Sequence, residues 1–79
     1  MKNQTKKGIQ FEADLWRYMK LRGISSKESL RKLTTVGGNK TFLKYFEDPE
    51  RMPIGVMSQI MDALRVPETD RQEIIKKIL

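Results

Sequence analysis

Hydrophobic positions along the chain recur at intervals of three and four, the spacing of one helix face, and nowhere alternate for long enough to make a strand. Phe11, Leu15, Tyr18 and Met19 predict a first helix over residues 9–22. Glu12 and Asp14 lie near its start, Arg17, Lys20 and Arg22 near its end, and Gly23 is its stop. Trp16 lies off the main stripe and reads as a partly buried packing residue. Ser26 is a favourable N-cap for a short second helix of about two turns that carries Leu30 and Leu33. Residues 34–39 contain Gly37 and Gly38 and break that helix, with Val36 expected to enter the core from the turn. A third helix over 39–47 takes Asn39 as its N-cap, turns Phe42, Leu43 and Phe46 inward, and leaves Lys40, Thr41, Lys44 and Tyr45 outside. Asp48-Pro49 and Met52-Pro53 bracket a loop, because each proline drives its predecessor out of the helical region. Val56, Met57, Ile60, Met61 and Leu64 make a fourth helix that ends near Arg65 and Val66. A fifth begins near Thr69 and buries Ile74, Ile75 and Ile78.

These elements describe an all-α fold, a compact bundle of about five short helices joined by short connections. A chain of 79 residues holds one such domain. Residues 1–8 carry a single apolar side chain and three lysines, so they are expected to form a flexible basic arm ahead of a domain spanning 9–79.

Composition narrows the chemistry. The chain has no cysteine and no histidine. A disulfide framework and a thiolate zinc site are excluded, and the usual general base and commonest metal ligand are missing. The expectation is a binding protein rather than an enzyme, without cofactor, metal or small-molecule substrate. Gly37-Gly38 lacks the lysine-serine spacing of a phosphate loop, and Glu47, Asp48 and Glu50 read as a solvated helix end. The longest uncharged stretch, residues 52–61, is far shorter than the ~20 residues of a membrane span, which predicts a cytoplasmic protein.

Charge changes the picture further. Sixteen Lys and Arg against ten Asp and Glu leave a net +6. Residues 1–46 carry eleven basic and three acidic side chains, a net +8, whereas 47–79 carry five and seven, a net −2. A polyanionic partner is therefore expected to meet elements of the first half.

A short helix, a glycine-containing turn and a second helix with a basic outer face have the order of a helix-turn-helix. In that motif the second helix enters the major groove of duplex DNA and the first crosses the backbone. Asn39, Lys40, Thr41, Lys44 and Tyr45 are the candidate base-reading residues: lysine donates to guanine, asparagine pairs with adenine, and a threonine methyl touches that of thymine. Asn39 is either a cap or a reader. Ser25, Ser26 and Lys27 stand where the second helix would meet phosphates, with Lys6, Lys7, Arg22 and Lys20 as further candidates.

The ordered set Arg22-Gly23-Ile24-Ser25-Ser26, Tyr45-Phe46-Glu47, Arg51-Met52-Pro53 and Met57-x-x-Ile60-x-x-x-Leu64-Arg65-Val66 resembles the lambda-repressor-like, Cro/Xre class of helix-turn-helix DNA-binding domains. The similarity covers about Leu15 to Ile78. It departs from the class in three places: the second helix opens on Ser26 and Lys27 instead of glutamine, Leu33 stands in place of alanine, and Pro49 replaces a small residue. The resemblance implies a Cro-like repressor of a phage or mobile element, acting on double-stranded DNA in the bacterial host cytoplasm or nucleoid. It also implies dimeric binding, for which the C-terminal helix with Ile74, Ile75 and Ile78 offers either a partner contact or packing onto its own core. The rival reading is a small helical module that binds an acidic protein partner through the same basic face. RNA is a weaker third, because Tyr45 is the one obvious stacking platform of the basic half.

Overall fold

The computed structural model describes residues 5–78; residues 1–4 of the expected basic arm, and Leu79, lie outside the described residues. Five helices and no strand are present among them: α1 (Lys6–Leu21), α2 (Lys27–Arg31), α3 (Asn39–Glu47), α4 (Ile54–Leu64) and α5 (Glu68–Ile78). A single 3-10 turn, Pro49–Arg51, lies between α3 and α4 where a loop was expected, with Pro49 in its first position.

Helix α1 runs through the centre and packs against α3, α4 and α5. It begins at Lys6, three residues ahead of the expected Ile9, because Thr5 caps it: the Thr5 hydroxyl accepts the Gly8 N–H at 2.9 Å. Its far end stops where glycine predicts. Gly23 adopts φ +71°, and the Ile24 N–H reaches back to the Met19 carbonyl at 2.9 Å, closing the last turn.

The core follows the three-and-four spacing. Phe11, Leu15, Leu30, Phe42, Phe46, Ile60, Met61 and Leu64 are fully buried. The Phe46 ring sits 5.5 Å from that of Phe11 and 5.3 Å from that of Phe42, tilted against both. Leu33 and Leu43, expected inside, are exposed. Helix α2 ends at Arg31, before Leu33 can turn inward, and the inner face of α3 is filled by Phe42 and Phe46. Of the C-terminal isoleucines, Ile74 and Ile78 are buried in this chain's own core and Ile75 is half-buried, so two of the three residues considered for a partner contact are already covered.

α5 is locked to α1 by polar contacts at the core's edge. The Tyr18 hydroxyl donates to Asp70, and Lys77 pairs with Asp14 at 3.5 Å. The hydrogen bond to Asp70, then burial and the Asp70 charge, push the Tyr18 phenol above its ordinary value of about 10. A raised phenol means that the folded state favours the neutral form. The stabilisation is complete below the unfolded value of about 10 and is lost as pH rises through the folded value. Denaturant unfolding above pH 10 is therefore expected to show a falling stability whose slope is shallower in Tyr18→Phe; equal slopes would remove Tyr18 as its source.

Candidate nucleic-acid interface

The segment Lys27–Glu47 folds as helix, turn, helix. α2 is anchored by Leu30 and capped by the Ser26 hydroxyl, which accepts the Ser29 N–H at 3.1 Å. The turn is held from two sides. Thr35 donates both its N–H and its hydroxyl to Gln59 of α4, at 2.9 and 3.2 Å, and Arg31 donates to the Val36 carbonyl at 3.1 Å. The Thr34 hydroxyl closes the end of α2 on the Arg31 carbonyl at 2.7 Å. Val36 packs against the core from the turn, as its β-branched apolar side chain suggested.

Helix α3 starts on Gly38, which has no side-chain cap bond, so Asn39 is the first helical residue rather than the cap. The Asn39 side chain accepts from Arg31 instead. With Phe42 and Phe46 facing inward, Lys40, Thr41 and Lys44 stand exposed on the outer face. Neither Lys40 nor Lys44 has an ion pair among the described residues, whereas Lys7, Lys27 and Lys77 do. Tyr45, expected on the open face, is half-buried and packs against the core.

The residues expected at phosphates are less free. Ser25 and Lys6 are exposed. Ser26 is committed to its cap. Lys27 pairs with Glu12 at 2.9 Å while its ammonium lies 5.1 Å from the Phe46 ring centroid, so it ties α2 to α1 and α3. Lys7 pairs with Glu50 at 3.3 Å, and Arg22 donates to the Leu64 carbonyl at 3.0 Å. Each of these partners comes from another part of the chain, which single-residue reading cannot see. Asp48 and Glu50 of the acidic cluster likewise hold Arg51 and Lys7.

Two features escaped the sequence. Arg31, which bonds both the turn and Asn39, gave no signal of its role. Leu43 did give one: Phe42 and Phe46 lie one turn apart and define the buried face, and Leu43 falls about 80° from the middle of it. Trp16 is 39% exposed and, with Ile9, Glu12, Ala13, Ser26 and Lys27, lines a shallow hollow between α1 and the start of α2 of about 390 Å³. No helix among the described residues is long and apolar enough to cross a membrane.

The order of these helices, the bonded turn and the exposed second helix agree with comparison to known families. The family model of the Cro/C1-type HTH DNA-binding domain matches residues 14–76, which takes in all of α2, the turn, α3 and α4. No curated protein and no solved structure matches the chain significantly. With four-fifths of its length matched and five helices in place, the chain belongs to the Cro/C1-type helix-turn-helix DNA-binding domains.

Proposed function

We propose that this chain is a sequence-specific regulator of transcription of the Cro-like repressor type, which lays α3 in the major groove of double-stranded DNA in the bacterial cytoplasm or nucleoid. The observation that carries this reading is the outer face of α3, where Lys40 and Lys44 stand exposed with no ion pair among the described residues, while Lys7 and Lys27 are each held by a carboxylate. An ammonium left free on a helix whose other face is fully buried is poised to donate to guanine O6 and N7. Thr41 beside them presents a hydroxyl and a methyl. Asn39 contributes chiefly through its amide nitrogen, because its oxygen already accepts from Arg31, which orients the amide and competes with the two-bond pair to adenine. Tyr45 reaches with its phenol only, its ring being held against the core. Positioning on phosphates falls to Ser25, Lys6 and Lys20, which are exposed and have no side-chain partner among the described residues, while Ser26, Lys27, Lys7 and Arg22 shape the surface through bonds within the chain.

Selection from a randomised duplex pool near physiological salt tests this directly. An enriched sequence is expected. A palindrome with half-sites about one helical turn apart reports a dimer, and a single motif a monomer. A homodimer through α5 would have to use Ile75, since Ile74 and Ile78 are covered. No enrichment would transfer the basic face to an acidic protein partner. On the selected site, Lys44→Ala is expected to weaken binding by about 1–3 kcal/mol and to relax discrimination at one base pair. Unchanged affinity and specificity in a titration with selected and scrambled duplexes would remove Lys44 from the reading face.

A further inference from the structure

We infer that Leu43 reads the 5-methyl group of a thymine and is a specificity-determining residue of α3 in addition to its lysines; this rests on the DNA reading above. Leu43 is 44% exposed on a helix whose core face is already filled by Phe42 and Phe46, so a large apolar side chain stays open to solvent beside the lysines. It lies on the flank of α3 toward the start of α2, one turn from Asn39 and adjacent to Lys44. There it lines a small cleft of about 130 Å³ with Lys27, Glu28, Asn39 and Phe42.

The chemistry of that cleft selects its occupant. Its cation, Lys27, is paired with Glu12 at 2.9 Å, and the Asn39 oxygen already accepts a hydrogen bond from Arg31. The Glu28 carboxylate at its rim is exposed and has no ion pair among the described residues, so it repels a phosphate. An apolar wall beside an uncompensated carboxylate admits a base edge rather than the backbone. Among the four bases the only apolar group in the major groove is the thymine methyl, and covering it is favourable for both partners.

The test replaces each thymine of the selected duplex by deoxyuridine, which removes the methyl and nothing else. One thymine per bound domain is expected at which the replacement weakens the wild-type protein about fourfold, the value of one buried methyl group. Leu43→Ala is expected to bind the thymine and uracil duplexes equally, and to unfold at the same denaturant concentration as the wild type because Leu43 is outside the core. Uracil replacements that weaken both proteins alike, or neither, would overturn the assignment while leaving the DNA reading intact. A pool that yields no selected sequence would overturn both.

Discussion

Phe46→Ala is expected to remove about 3–5 kcal/mol of folding free energy. A domain of 79 residues has roughly 4–12 kcal/mol in total, so the variant retains little margin. The reason lies in what the ring touches. Phe46 is fully buried between Phe11 of α1 and Phe42 of α3, and the Lys27 ammonium lies over its ring. Truncation opens a cavity among three helices and removes the surface on which the start of α2 rests. Because α3 also presents Lys40 and Lys44, binding to the selected duplex is expected to fail together with folding. Urea unfolding followed by circular dichroism checks it. Phe46→Leu, which keeps most of the volume, is expected to fall between the two. An alanine variant with a midpoint near that of the wild type would mean that the three-ring cluster does not hold the helices together.

Gly8→Ala has the second largest expected effect, and its sign is contrary to helix propensity. Alanine in a helix is ordinarily favoured over glycine by about 1 kcal/mol. At Gly8 the added methyl would lie 2.5 Å from the Glu47 carbonyl oxygen and 2.7 Å from that of Phe46. Both are backbone atoms at the end of α3 and cannot rotate away. The N-terminus of α1 is seated there deliberately close: the Thr5 hydroxyl and N–H both point to the Glu47 carbonyl, at 3.1 and 3.4 Å, bringing the positive end of one helix dipole to the negative end of the other. The expected net cost is about 1–3 kcal/mol, with α3 displaced relative to α1 and weaker binding of the selected duplex. Gly55→Ala is the internal control. Gly55 lies in α4 with nothing within 4 Å of an added methyl, so the same substitution there is expected to stabilise by up to about 1 kcal/mol. If thermal unfolding shows both variants stabilised, the contact between α1 and α3 is looser than its geometry.

The two substitutions also separate what is local from what is not. A core phenylalanine is recognisable in the chain as written, since Phe42 and Phe46 stand one turn apart on a helix with Lys40 and Lys44 opposite. The role of Gly8 is not, because the carbonyls that forbid a side chain belong to residues far along the chain. From the sequence, Gly8 after two lysines looked like the end of a loose arm.

Helix identity, most of the core, the Gly23 stop, the Ser26 cap and the basic first half were all determined by the sequence alone. Each depends on residues within one or two turns of one another, or on simple counting, and helix geometry repeats the same relation along the chain. The tertiary structure decided which members of each apolar group were buried. Leu33 satisfies the spacing yet stays outside because α2 had ended, and Leu43, at the edge of the apolar face, stays out because Phe42 and Phe46 had filled the inner side. It also decided which charges remain available: Lys27 meets Glu12, Lys7 meets Glu50 and Arg22 meets the Leu64 carbonyl, while Lys40 and Lys44 have no ion pair among the described residues. Such pairings depend on distances between helices, and those are set by how five apolar faces close on one another, not by any local pattern.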